Sequence, residues 1–268
     1  MKKTLMTGAA IASLFASGAF AADLPVKAPP MLAPVWNWTG FYVGINGGYS
    51  WGRSNATVDP NTVFATNIRH DVNGGVGGAQ IGYNWQVNPN WLLGLEADIQ
   101  GTGERGGSVD TLPSIRIANF GFSGTAASNT SFPWFATFRG RTGWLADPSL
   151  LLYVTGGLAV GEVKFDTQTT LVAQRFDGNS NNPIGAPIAV VGATVSDSQT
   201  RVGWTAGAGI EKKFTPNWSG KLEYLYIDLG SATYFGGTAN ETSVSFHDHV
   251  FRAGINYQFT AGPVVAKY

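Results

Sequence analysis

The 268-residue chain contains no cysteine, which excludes disulfide cross-links, thiol nucleophiles and thiolate metal sites while leaving the compartment open. Charge is scarce as well: 13% of residues are Asp, Glu, Lys or Arg, where a soluble domain usually carries about 25%. The formal net charge is zero, so nothing in the balance attracts nucleic acid. Long apolar runs are also missing. Beyond the N-terminus there is no stretch of about 18 apolar residues, so a helical membrane span is excluded. Present instead are 36 Gly, 9 Trp, 9 Tyr and 16 Phe. A charge-poor, aromatic-rich chain with weakly alternating segments has the composition of a transmembrane β-barrel.

Residues 1–21 read as an export signal. Lys2 and Lys3 form a charged n-region, Leu5 to Phe20 a short stretch of small and apolar residues, and Ala19-Phe20-Ala21 a cleavage site placed between Ala21 and Ala22. Residues 22–37 hold Pro25, Pro29, Pro30 and Pro34 and are expected to form a Pro-rich periplasmic arm outside any sheet. The barrel is expected over 38–259, followed by a short extension at 260–268.

Alternation is clearest in the last strand, His249 to Phe259. Phe251, Ala253, Ile255, Tyr257 and Phe259 share one face, and Arg252, Gly254, Asn256 and Gln258 the other. The same pattern opens the barrel, with Phe41, Val43, Ile45, Tyr49 and Trp51 set against Tyr42, Gly44, Asn46, Gly48 and Ser50. It recurs from Ala79 to Val87, Trp91 to Gln100, Trp134 to Trp144, Leu150 to Val160, Arg201 to Glu211 and Lys221 to Tyr226. Three short turns join these segments at Asn88-Pro89-Asn90, Asp147-Pro148-Ser149 and Thr215-Pro216-Asn217-Trp218. They alternate with four long polar connections, two of them Gly101 to Ser131 and about Asp166 to Ser198. Short turns on one side and long loops on the other, with an even strand number, describe an outer-membrane barrel. A soluble sandwich gives no reason for that alternation. The fold expected is all-β: an eight-stranded antiparallel up-and-down transmembrane barrel with three short periplasmic turns and four longer extracellular loops. Strands of about 9–11 tilted residues would span the bilayer. Trp85, Trp91, Trp144, Trp218, Tyr257 and Phe259 lie beside the short turns or end the last strand, and are expected to form the periplasmic aromatic girdle.

The chain resembles the small outer-membrane immunogenic proteins of alpha-proteobacteria, the rhizobial and Brucella-like surface barrels with an OmpA-like transmembrane domain. The resemblance rests on Ala19-Phe20-Ala21-Ala22-Asp23-Leu24-Pro25, on Trp38-Thr39-Gly40-Phe41-Tyr42-Val43-Gly44 and on Arg252-Ala253-Gly254-Ile255-Asn256-Tyr257-Gln258-Phe259. It implies outer-membrane lipid and lipopolysaccharide as surroundings. It also implies that the barrel-assembly machinery reads Phe259 as the terminal aromatic signal, although Thr260 to Tyr268 follow it. Host or surface ligands are expected at the loops. No periplasmic peptidoglycan-binding domain is expected, so the likeness to larger OmpA proteins stops at the barrel.

The inward face is expected to collect Glu96, Asp98, Arg139, Arg141, Arg201, Glu211, Lys221, Glu223 and Arg252. Eight strands leave an interior that side chains can fill, so the expectation is a salt-bridged plug, with a narrow conducting path as the alternative. On the plug reading alone, replacing Arg139 and Arg141 with Ala should raise conductance. Other constellations are weak. His247-x-His249 has the spacing of a metal pair, but His70 is the only other histidine and no further ligands are evident. Ser245 and His247 sit about 6.5–7 Å apart along a strand, too far for a nucleophile–base hydrogen bond, and Asp248 faces the other way. Gly74-Gly75-Val76-Gly77-Gly78 does not match a phosphate loop and is better suited to close backbone approach or bending. No catalytic, metal or cofactor residue is assigned. The expected role is structural, in envelope integrity and presentation of surface loops; the alternatives are a small porin, an outer-membrane enzyme and a soluble periplasmic binding barrel.

Overall fold

The computed structural model describes residues 36–58, 66–178, 182–234 and 242–259. The expected signal with its Ala21–Ala22 junction, most of the arm and the C-terminal extension lie outside the described residues. Eight strands are present: β1 (Gly40–Val58), β2 (Thr66–Asn88), β3 (Trp91–Ile117), β4 (Phe120–Asp147), β5 (Leu150–Phe176), β6 (Pro183–Lys213), β7 (Trp218–Tyr234) and β8 (Thr242–Gln258). Each pairs antiparallel with its sequence neighbour, and β1 pairs with β8 to close the ring. At the seam Tyr42 opposes Gln258, and Phe259 N donates to Phe41 O at 2.8 Å. Closure leaves no open backbone edge at this level, which lipid requires.

The alternation read from sequence sets the wall. Phe41, Ile45, Ile81, Leu93, Ile99, Phe138, Leu158, Val202, Phe251 and Ile255 are exposed on the outside, and the opposite parity is buried. Trp85, Trp91, Trp144, Trp218 and Phe259 are exposed beside the short turns. Trp218, Tyr257 and Phe259 form a chain of edge-on ring contacts at 5.1 Å each.

The strands are longer than the sequence suggests. They run 17 to 31 residues, against the 9–11 expected. The polar stretches 101–131 and 166–198, expected as loops, are mostly strand: β3 and β4 meet at a two-residue turn, and β5 pairs with β6 up to Phe176 and Pro183. Above the apolar band the barrel parts along two lines. Pairing of β2 with β3 stops at Asn73–Arg105, and pairing of β6 with β7 stops at Trp204–Asp228. The upper portions therefore form two four-stranded sheets, β3-β4-β5-β6 and β7-β8-β1-β2. Their inner faces pack through Leu112, Ala126 and Phe165 on one side and Ala56, Tyr234 and Val244 on the other.

Glycine solves a space problem inside the ring. A Cβ on Gly82 would lie 2.3 Å from the Tyr42 hydroxyl and 2.6 Å from Leu95 O, so the Tyr42 ring occupies space that a side chain at position 82 would take. Gly82→Val should destabilise the barrel by about 1–3 kcal/mol through overpacking. Gly47→Ala, whose Cβ would meet only Val76 O at 3.8 Å, should change stability by less than about 0.5 kcal/mol. Urea unfolding of the refolded barrel, followed by the heat-dependent gel shift, separates the two.

Candidate functional site

The most specific chemistry lies in the lower half of the interior. Residues of one parity on β3, β4, β6, β7 and β8 bring Glu96, Asp98, Arg139, Arg141, Glu211, Lys221, Glu223 and Arg252 together, all nearly inaccessible to solvent. Arg139 contacts three carboxylates: its Nη2 lies 2.5 Å from Glu96 Oε1 and 2.8 Å from Asp98 Oδ2, and its Nη1 3.1 Å from Glu223 Oε1. Arg252 Nη2 joins Asp98 at 3.0 Å to Glu223 at 2.6 Å. Lys221 Nζ sits 2.9 Å from both Glu96 oxygens. Arg141 Nη1 reaches Glu211 Oε2 at 3.0 Å, and its planar group lies over the Tyr42 and Tyr153 rings.

Four carboxylates thus face four cations, and the cluster is neutral. Neutral donors occupy further lone pairs. Tyr42 Oη donates to Glu96 at 2.7 Å, Tyr153 Oη to Glu223 at 3.0 Å and Thr137 Oγ1 to Asp98 at 2.8 Å. Ser219 Oγ and Asn256 Nδ2 both donate to Glu211 Oε1. Asn84 Oδ1 accepts from Arg141 Nε and Nη2. Buried charge is tolerable only when paired and hydrogen-bonded in this way.

Arg201 does not belong to the cluster. Parity places it inside, but it lies higher on β6. There its guanidinium sits 5.0 Å from the Tyr234 ring centre, and Nη1 donates to Gly230 O at 3.4 Å; it forms no ion pair among the described residues. Sequence reasoning also missed three apolar layers. Trp38, Leu92, Leu145 and Leu151 lie below the cluster. Phe132, Phe135, Leu225, Ile227, Phe246 and Val250 lie above it, and the inter-sheet layer lies higher still. The alternation carried the signal: stepping by two from Arg252 gives Val250, then Asp248, Phe246 and Val244, all buried.

The remaining candidates fall apart in space. His247 and His249 face outward, with Trp51 stacked on His249 at 5.9 Å. His70 faces inward and its Nε2 lies 2.8 Å from Thr130 Oγ1, so the barrel wall separates it from the pair. Asp248 is buried inside while Ser245 and His247 turn the other way, so no triad assembles. No group of metal-ligating side chains occurs among the described residues.

The network sets a stability test. Arg139→Leu strands Glu96, Asp98 and Glu223 without their shared cation, and should cost about 3–5 kcal/mol in urea unfolding of the folded barrel. Arg201→Met removes no ion pair and should cost less than about 1 kcal/mol.

The model of the outer membrane protein beta-barrel domain family matches residues 7–259. The 31 kDa outer-membrane immunogenic protein of Brucella melitensis biotype 1 is 37% identical over 270 residues, covering 97% of this chain and 100% of that protein. The 25 kDa outer-membrane immunogenic protein of the same organism is 30% identical over 263 residues, covering 96% and 98%. Among solved structures, the outer membrane protein OprG of Pseudomonas aeruginosa aligns with a TM-score of 0.42 at 13% identity, covering 85% of this chain and 100% of that one. With its closed ring of eight strands and a family match that runs from the N-terminal segment to the last barrel strand, the chain belongs to the outer membrane protein beta-barrel domain family and is an outer-membrane protein similar to the Brucella immunogenic proteins.

Proposed function

We propose that the protein is a closed structural barrel that anchors a surface-exposed β-sheet head, contributing to the envelope as a rigid element and to the cell surface as an antigenic and binding platform. The observation that carries this reading is the filled interior, with a neutral eight-residue charge network held between apolar layers. A solute crossing it would have to displace both the paired charges and the packed rings of Phe132, Phe135 and Phe246. The layers also change what the inward arginines are expected to do. Arg139→Ala and Arg141→Ala remove charge from the middle of the stack but leave the packed rings of Phe132, Phe135 and Phe246 above it and Trp38, Leu92 and Leu151 below it in place.

The head supports the platform half of the proposal. The upper part of β6, Pro183 to Ser196, contains no charged residue and exposes Ile184 and Ile188. Loops and extensions on a rigid scaffold are where binding concentrates. No arrangement of nucleophile, base and oxyanion donors accompanies them among the described residues, which favours binding over catalysis.

In planar bilayers the refolded chain should show no defined single-channel openings, and the Arg139→Ala/Arg141→Ala double variant should stay silent while unfolding in less urea. Repeated unitary openings from the unsubstituted barrel would overturn the closed reading. Absence of cysteine makes the topology directly testable. Asn119→Cys, at the β3–β4 tip, should react with a membrane-impermeant maleimide on intact cells, and Ser149→Cys, in a short turn, should react only after the outer membrane is opened.

A further inference from the structure

On β1 the outward apolar band runs from Phe41 to Trp51, ten residue steps along the strand. At about 3.3 Å per residue and a tilt of about 40°, that covers about 25 Å, the height of a barrel's lipid-facing band. The next outward side chain is Arg53. On other strands the band ends at the corresponding height with Asp71, Arg105, Glu162 and Asp228. The outer leaflet's headgroups therefore lie level with Trp51 and Arg53.

At that height the wall formed by β7, β8, β1 and β2 differs from the rest. Cross-strand register sets Tyr226, His249, Trp51 and Asn73 in one row, and Asp228, His247, Arg53 and Asp71 in the row above. The lower row is a run of ring faces: Trp51 stacks on His249 at 5.9 Å, Tyr226 lies 5.2 Å from the same imidazole, and the Tyr224 hydroxyl sits 2.7 Å from His249 Nδ1. The upper row carries the charge. Arg53 Nε binds Asp71 at 3.0 Å, yet the Arg53 side chain is 78% exposed, and His247 is held 3.7 Å from Asp228. Between the rows lies a groove of about 580 Å³ lined by Trp51, Arg53, Asn73, Tyr226, His247 and His249. A second groove of about 600 Å³ adjoins it, sharing Arg53 and adding Arg69.

We propose that this wall is a binding site for the phosphorylated sugar headgroup of an outer-leaflet glycolipid. Flat ring faces accept the apolar face of a pyranose. Arg53 and Arg69 supply planar, bidentate donors for phosphate. Asn73 and Asn55 have the donor and acceptor needed for sugar hydroxyl or amide groups, and Asp71 holds Arg53 in place. A plain phospholipid headgroup would use the arginines but has no ring to stack, so the aromatic floor selects for sugar. The site lies outside the charge network and leaves the interior closed.

The test uses the refolded chain in phosphatidylcholine vesicles containing a minor fraction of bis-phosphorylated lipid A, with the same fraction of phosphatidylglycerol as comparison. Affinity is read by titration, and retained lipid by native mass spectrometry. Arg53→Ala and Trp51→Ala should each weaken lipid A binding about tenfold, as expected of one charge-assisted or stacking contact in a partly wet site. Lys164→Ala removes a cation from β5, four strands round the ring, and should leave lipid A binding unchanged. All three side chains are on the outside, so the heat-dependent gel shift should persist. Undiminished lipid A binding in Arg53→Ala and Trp51→Ala would overturn the site. An equal loss toward phosphatidylglycerol, or an equal loss in Lys164→Ala, would reduce it to general attraction between a basic rim and anionic lipid and would overturn the assignment to glycolipid.

Discussion

Everything in this structure follows from the requirement that no backbone N–H or C=O be left unpaired in lipid. A strand such as β8 meets it only with partners on both edges, which β7 and β1 provide. Once the ring is closed, side-chain parity is no longer free. A one-residue slip anywhere would turn Arg252 or Arg139 into the bilayer and Phe251 or Phe138 into the interior. Antiparallel up-and-down connection then explains the turns, since three tight returns on one side leave the other side free to grow.

The charge network is the counterpart of that requirement on the inside. An eight-stranded ring is too narrow to hold bulk water around its inward charges, and the eight charges of the lower cluster satisfy one another. Every strand contributes: Tyr42 from β1, Asn84 from β2, Glu96 and Asp98 from β3, Arg139 and Arg141 from β4, Tyr153 from β5, Glu211 from β6, Lys221 and Glu223 from β7, and Arg252 from β8. Buried ion pairs add little net stability over a well-packed apolar core, but breaking one is costly. Such pairs constrain register, because each charge needs its partners at one height. Apolar side chains tolerate a shifted neighbour, whereas Arg139, with three carboxylates around it, does not.

Much of this was legible in the chain because alternation and turns are local signals. Strand number, order, facing residues and the short-turn side all follow from stretches such as Trp91–Gln100 and Arg252–Phe259. Strand length was not legible. From Gly101 to Ile117 and from Phe120 to Ser131 Gly, Ser and Thr predominate, charges enter at Glu104, Arg105, Asp110 and Arg116, and the apolar residues are scattered. What holds these segments extended is a non-local ladder, Ser108 against Ser128 and Asn129 against Asp166, which no local pattern records. Arg201 shows a second gap. Parity gives a residue's face and says nothing of its height. Glu211 lies beside the β6–β7 turn with the network, while Arg201 lies ten residues further along (211 − 201), level with Tyr234 and Gly230.

Face and height together also decide where function can reside. A ligand entering the lower interior would have to separate Arg139 and Arg252 from Glu223 and Asp98, each exchange exposing a buried charge at several kcal/mol. It would then meet the packed Phe132, Phe135 and Phe246 rings. A ligand on the outer rim at Trp51 and Arg53, or on the extended sheet above it, breaks no buried pair. The interior is committed to holding eight strands in one register. On the proposed reading, recognition is left to the rim at headgroup level and to the sheets above it.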